Sequence, residues 1–212
     1  MVNIRQATLD DLEQIAKVHF QCFPDSFSTY LGKGRHGYLL QKFYQEYLDD
    51  APELFLVAED DTLPPPRKIV GFCMGYYPVK NNYSRAFLYH NFAAIISRMF
   101  FLLITGNKLA WKKVARLLKK SEPFLVVNKD ITFVAEEAGD LLSICVLQDY
   151  RGCGVAQSLM ENYIETLRKQ NKKLCVLTVE TDNERGVGFY KKNGFVPYKE
   201  IKDTKCTYAK IL

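Results

Sequence analysis

The stretch 141–196 constrains the fold more tightly than any other part of the chain. Leu141-Leu-Ser-Ile-Cys-Val-Leu147 is an apolar run of strand length, and after Gln-Asp-Tyr comes Arg151-Gly-Cys-Gly-Val-Ala156, which opens directly into an amphipathic helical pattern over 156–170. A second strand pattern over 174–180 and a second helix over 184–192 follow. Small residues let a backbone turn sharply and approach a ligand closely. Free N–H groups at the start of the helix, with its dipole behind them, favour a phosphate or pyrophosphate. Two rival phosphate motifs are excluded by inspection: the chain has no Gly-Lys-Ser/Thr and no G-x-G-x-x-G spacing.

Upstream, residues 2–5 read as a strand, and Thr8 caps a helix whose apolar positions Leu12, Ile15, Ala16, Val18, His19 and Phe20 recur at helical spacing. Asp10 and Asp11 suit its positive end. An aromatic, Gly-containing stretch then runs to Gly37, before a helical pattern over 38–48. Two β-rich runs, 54–59 and 68–77, are joined by Asp-Asp-Thr-Leu-Pro-Pro-Pro, which predicts an antiparallel hairpin. A last β segment lies near 204–210. Strands alternating with helices imply a mixed sheet covered on its faces.

At 212 residues the expectation is one domain, 1–212, with an insertion at 79–139 that interrupts the regular layout. The insertion holds an apolar run, 92–104, and a basic amphipathic helix, 108–120. Between Lys80 and Lys129 stand ten Lys/Arg (80, 85, 98, 108, 112, 113, 116, 119, 120, 129) and one acid, Glu122. That segment is therefore +9 in a chain of net +5, leaving −4 for the rest. A basic segment in an otherwise acidic protein points to a local anionic partner rather than to nucleic acid. The basic helix suits an anionic membrane or an anionic substrate, and equally a solvated face. Residues 87–105 approach the length of a membrane span, but Arg98 near the centre costs roughly 2.5–3.5 kcal/mol on insertion, so the expected contact is peripheral, through 92–120.

The six cysteines, at 22, 73, 145, 153, 175 and 206, form no CxxC pair, which argues against zinc. Four of them lie in apolar stretches and behave as small hydrophobes. With no basic-then-apolar start to the chain, a cytoplasmic setting is expected.

Arg151, Gly154 and Ala156 match the signature Q/R-x-x-G-x-G/A. Asn183-Glu-Arg-Gly-Val-Gly-Phe-Tyr-Lys-Lys-Asn-Gly-Phe195 matches a second region in which an Asn precedes a helix bearing Phe-Tyr and ending in Gly-Phe. With both in order and at the right separation, the chain resembles the GCN5-related N-acetyltransferase (GNAT) superfamily. The resemblance is strong over 141–196, weaker over 3–23 and 53–78, and absent over 79–139. It implies an α/β fold with a mixed, mostly antiparallel central sheet flanked by helices, and an acyltransferase that uses acetyl-CoA as co-substrate and no metal. It further implies that the amides of Gly152, Cys153, Gly154, Val155 and Ala156, after Arg151, hold the pyrophosphate of coenzyme A. By the same resemblance the Cys145-Val146 backbone pairs with the pantetheine arm, Asn183 binds that arm, and Tyr190 protonates the departing thiolate. A phenol of pKa near 10 is matched to a thiol near 8.5; the alternative is a core aromatic.

Direct attack on a thioester needs a neutral amine, a polarised carbonyl and a base or water relay. Where the family often places a Glu on the central strand, this strand offers Ser143 and Cys145. Glu137 is the named candidate, with Glu136 and Asp140 beside it and a water-mediated route as the preferred alternative. His19 reads as structural, His36 and His90 flank loops, and Cys153 is incidental despite its place at a helix start. The expected acceptor is a primary amine on a small, anionic molecule such as an amino-sugar conjugate. The alternatives are a protein amine, or a non-catalytic acyl-CoA-binding module at a membrane or partner surface. The oligomeric state is open between monomer and homodimer.

Overall fold

The structure is a computed structural model that describes residues 1–32, 37–65, 68–80, 83–117, 125–126, 128, 131, 134–201 and 204–212. Eight strands form one sheet: β1 (Val2–Gln6), β2 (Phe55–Asp60), β3 (Ile69–Tyr76), β4 (Leu125–Val126), β5 (Ala138–Val146), β6 (Leu174–Glu180), β7 (Val196–Ile201) and β8 (Lys205–Ile211). Their order is β1-β2-β3-β5-β6-β8-β7-β4. Only the β5–β6 pair is parallel, so the sheet is mixed and mostly antiparallel as expected.

The helices are α1 (Leu12–Cys22), α2 (Phe27–Gly32), α3 (Tyr38–Asp50), α4 (Tyr83–His90), α5 (Phe92–Ile104), α6 (Lys108–Leu117), α7 (Val155–Lys169) and α8 (Glu184–Lys192). On one face of the sheet α7 buries Leu159, Met160, Tyr163, Ile164 and Leu167 against Val70, Cys73 and Leu141. On the other face α1 and α3 bury Ile15, Tyr44, Tyr47 and Leu48 against Phe55, Phe72 and Met74. The central strand β3 is covered on both faces, which is why Ile-Val-Gly-Phe-Cys-Met-Gly reads as an unbroken apolar run. Tyr44, Phe55 and Phe72 stack edge-on or tilted at 5.5–6.2 Å, a geometry worth about 0.5–1.5 kcal/mol per pair beyond burial.

Thr8 caps a short 3-10 turn, Leu9–Asp11, instead of the helix itself, and α1 follows from Leu12 with Asp11 at its cap position. Asp11 is buried and accepts two hydrogen bonds from the Arg5 guanidinium, at 2.7 and 2.8 Å, and one from the Thr8 backbone N–H at 2.8 Å. Burial opposes its charge, yet the Arg5 and Thr8 hydrogen bonds hold its carboxyl below the usual range. Removing Arg5 would strand a buried carboxylate, a loss of about 3–5 kcal/mol.

One strand departs from expectation. Residues 196–201, where Pro197 and the Lys-Glu pair interrupt any regular β pattern, form β7 beside β8. The register shifts between Pro197 and Lys199, and such an irregularity tolerates the missing N–H of proline. The basic helix is described as far as Leu117; residues 118–120, expected as its end, lie outside the described residues, as does His36. Among the described residues no helix is long and apolar enough to cross a membrane.

Candidate active site

The site begins where two strands stop pairing. β5 and β6 run parallel from Ala138↔Leu174 to Leu141↔Leu177, and no further. β5 continues to Val146 along β3, and β6 continues to Glu180 along β8. Their facing edges therefore diverge into a wedge, leaving backbone N–H and C=O groups without a neighbouring strand. At the apex lies a bulge: Met74 pairs with Ser143 and Gly75 with Leu141, so Leu142 has no partner on β3. Tyr163 of α7 donates to the Asp140 carbonyl at 2.9 Å across this point. Any Cβ at Gly75 would collide with that phenol and that carbonyl, which is why glycine stands there.

Strand parity decides which backbone faces the wedge. Leu147 donates to the Val70 carbonyl, so Leu147 and Cys145 turn their backbone groups toward β3, while Val146 and Ile144 turn theirs away. Of the expected pair Cys145-Val146, the structure leaves only Val146 to the wedge. Its carbonyl accepts from Arg151 Nε at 3.1 Å, which ties the following loop to the strand.

At the mouth of the wedge the loop turns through Gly152 and Gly154, both at positive φ (82° and 83°), into α7. A Cβ at either would meet nothing within 4 Å. Glycine is required by the backbone, at about 1–2 kcal/mol for any other residue, and open space remains above it. The helix cap is Gly154 itself, which has no side chain to satisfy the first amides. The amides of Val155 and Ala156 have no carbonyl within the helix to bond. Two glycines thus present N–H groups and a positive dipole end to an outside anion. Cys153 is exposed, its thiol 3.9 Å from the Arg151 carbonyl, and takes no other part.

Asn183 caps α8: its Oδ1 accepts from the Gly186 N–H at 2.9 Å, and its own N–H donates to Glu180 at 3.0 Å. Its amide nitrogen has no hydrogen-bond partner among the described residues. Tyr190 packs edge-on against Phe189 and Phe195, at 5.7 and 6.0 Å, within the α7-side core. Burial pushes its phenol well above the ordinary tyrosine range, and the neighbouring thiols Cys73, Cys175 and Cys145 push the same way. Those thiols stand on β3, β6 and β5, the strands that border the wedge.

Glu137 is placed elsewhere. It ends a turn before β5, its carboxylate is ion-paired to Lys173, and its carbonyl accepts the Lys173 N–H. Five residues of extended chain, about 16 Å, separate it from the bulge. Asp140, by contrast, stands two residues from the bulge, with Tyr76 donating to its Oδ2 at 3.1 Å. Burial raises its carboxyl from 3.8 to about 6, against the pull of the Tyr76 hydrogen bond. Leu141 packs toward α7, so Asp140 faces the α1/α3 side.

His19 is structural: it is buried, bonded to the Tyr44 hydroxyl at 2.6 Å and to Ser28 Oγ at 3.0 Å, and burial lowers its pKa to about 4. His90 is exposed and pairs with Glu46. One group went unnoticed in the sequence. Cys22, at the end of α1, packs against the buried cluster that holds Cys145. The Cys145 thiol, then the nearby charges of Arg151 and Arg185, draws Cys22 down to about 7, while burial pushes Cys145 up. Nothing in a linear sequence links positions 22 and 145.

The sequence model of the acetyltransferase (GNAT) family matches residues 114–195, a span that holds the bulge, the glycine-capped helix, Asn183 and Tyr190. Over that span the chain is similar to the GNAT family. N-alpha-acetyltransferase 30 of Schizosaccharomyces pombe is 30% identical over 77 residues, covering 36% of this chain and 51% of its own length. An N-alpha-acetyltransferase of Sulfurisphaera tokodaii is 24% identical over 212 residues, covering 97% of this chain and 85% of its own. The chain thus spans about half of the yeast relative's length and most of the archaeal one. In fold it is similar to the crystal structure of the paia N-acetyltransferase of Thermoplasma acidophilum in complex with coenzyme A, with TM-score 0.58, 15% identity, and 100% and 99% of the two chains covered.

Proposed function

We propose that this GNAT enzyme moves the acetyl group of acetyl-CoA directly to a primary amine that enters from the α1/α3 side of the wedge, and that the acceptor is the α-amine of a polypeptide. The observation that carries the donor half is the end of β5–β6 pairing at Leu141↔Leu177 beside a helix capped by glycine. The fit rests on chemistry present in the chain: uncapped amides for a pyrophosphate, and a strand edge for an amide-bearing arm. The acceptor half rests on the relatives named above, whose printed activity is N-alpha-acetylation.

In this reading the amides from Gly152 to Ala156 hold the pyrophosphate, with Arg151 bracing their loop against Val146. The Val146 backbone and the free amide nitrogen of Asn183 hold the pantetheine arm. The bulge aims backbone N–H groups into the apex, where they polarise the thioester carbonyl as negative charge develops on it. Tyr190, kept neutral by burial, gives its proton to the leaving thiolate. Asp140 takes the base role in place of Glu137, directly or through one water, because it is half-buried, beside the bulge and largely ionised above pH 6.

A second reading, a small anionic amine such as an amino-sugar conjugate, is favoured by the basic segment. α5 packs on α2, at the rim of the α1/α3 layer, through Arg98, which donates to the Tyr30 carbonyl at 2.9 Å. An acceptor screen that reads free thiol release separates the readings. Turnover with peptide α-amines and none with amino-sugar nucleotides is expected; the reverse pattern transfers the assignment to the second reading. No thiol release with either class would leave only a binding module.

A further inference from the structure

From the insertion we infer that α5 and the start of α6 form a docking face for an anionic lipid bilayer, on which this enzyme lies without spanning it. The inward side of α5 is settled by burial of Ile95 and Leu102 and by Arg98, whose guanidinium is spent on the Tyr30 carbonyl. That arrangement removes the charge which a membrane would resist from the outward side. What remains outward is apolar: Phe92, Ile96, Phe100 and Ile104, at four-residue intervals, are 64, 51, 65 and 65% exposed. Residues four apart on a helix lie one above another, so these four make a continuous ridge, about 20 Å long over the 13 residues of α5. Trp111 extends it: its indole N–H donates to the Leu103 carbonyl at 3.2 Å, which holds the exposed ring at the C-terminal end of the ridge. Tyr89, also exposed, stands at the other end. Aromatic rings with one polar atom are the residues that settle at the boundary between headgroups and acyl chains.

Charge selects the occupant. From Lys80 to Ser121 the chain carries nine Lys/Arg and no Asp or Glu. Lys108 and Lys112 are exposed beside the ridge. A second copy of the chain, docked about a twofold axis, would set this basic flank against itself and pay for like-charge contact. A bilayer of anionic headgroups supplies the opposite sign and a flat apolar layer together, as an amphipathic helix lying in the interface plane requires. The proposal does not depend on the acceptor or on the acid and base roles.

Trp111 is the only tryptophan in the chain, so its fluorescence reads this face alone. The experiment is a titration of the full chain with vesicles of phosphatidylcholine, with and without phosphatidylglycerol, reading Trp111 emission and co-sedimentation. With phosphatidylglycerol a blue shift and co-sedimentation are expected, both weakened by raised salt. Phe100→Asp and Lys112→Glu, each on an exposed side chain, are expected to weaken partitioning about tenfold or more. Unchanged melting and unchanged acetyl-CoA binding would show each variant folded; a failed Phe100→Asp fold leaves Lys112→Glu as the test. Three results would overturn the proposal: no response to phosphatidylglycerol vesicles, equal binding to pure phosphatidylcholine, or a solution dimer that Phe100→Asp dissociates. Failure of acetyl transfer in the same preparation would leave the vesicle readout intact.

Discussion

Leu141 is the last residue of β5 to face β6, and beyond its partner Leu177 the two strands share no further pairing. From that separation follow the wedge, its exposed strand edges and the position of everything proposed to act there. The Leu142 bulge lies just beyond that point on β5, with the Tyr163 phenol over Gly75 beside it, and β5 leads on to the glycine-capped start of α7.

Tyr190→Phe removes a hydroxyl that makes no hydrogen bond among the described residues, while leaving the ring to pack against Phe189 and Phe195. Steady-state kinetics should show kcat reduced about 100-fold or more, with acetyl-CoA affinity unchanged by calorimetry. Unchanged turnover would remove the residue from the acid role.

Asp140→Asn should cost activity and add stability. Its carboxyl is raised in the folded state from 3.8 to about 6, so the folded protein binds more protons than the unfolded chain between those values. Stability therefore falls as pH rises from about 4 to 6 and stays lower above that, a loss on the order of 2–3 kcal/mol. The asparagine variant should melt higher than the native enzyme at pH 7 and show a flatter melting profile across pH 4–6. The native rate should climb through about pH 6, and the variant should lack that limb. Glu137→Gln should leave the rate in place and lose only an exposed ion pair, worth about 0–1 kcal/mol.

Gly154→Ala forces a side chain into a left-handed conformation in otherwise open space. Unfolding measurements should show a loss of about 1–2 kcal/mol. Binding of acetyl-CoA should weaken more than binding of the dephosphorylated pantetheine fragment, because the amides that move are those proposed for the pyrophosphate.

Cys22 should be the most reactive thiol in the folded enzyme. Its pKa near 7 reflects the Cys145 contact and two arginines, so alkylation should reach half its limiting rate near pH 7, ahead of exposed Cys153. Mass mapping after brief treatment with a maleimide checks this. Arg151→Ala should slow the modification.

The candidate donor site is legible because it is local: a strand, two glycines and a helix start follow one another within 141–156, and Asn183 caps the short helix that carries Tyr190. The hairpin and the helical faces were legible for the same reason, since periodicity reports neighbours in sequence. What escaped depends on distance in the chain. Nothing local sets Asp140 apart from Glu136 and Glu137, because its hydrogen bond comes from Tyr76, 64 residues away. Glu137 looked equivalent until Lys173 claimed it. Cys22 meets Cys145 only through the packing of α1 on the sheet. Which backbone groups face the wedge is decided by pairing with β3, not by composition, so Cys145 turns toward β3 and Val146 away from it. β7 was hidden by Pro197, which the register shift accommodates.

The central claim is that the wedge and its glycine-capped helix hold acetyl-CoA for transfer. Isothermal calorimetry of the full chain with acetyl-CoA, repeated with Gly154→Ala, tests it most directly. One molecule bound per chain, with affinity reduced by the substitution, is the result expected; no binding to the native chain, or binding indifferent to Gly154, would contradict it.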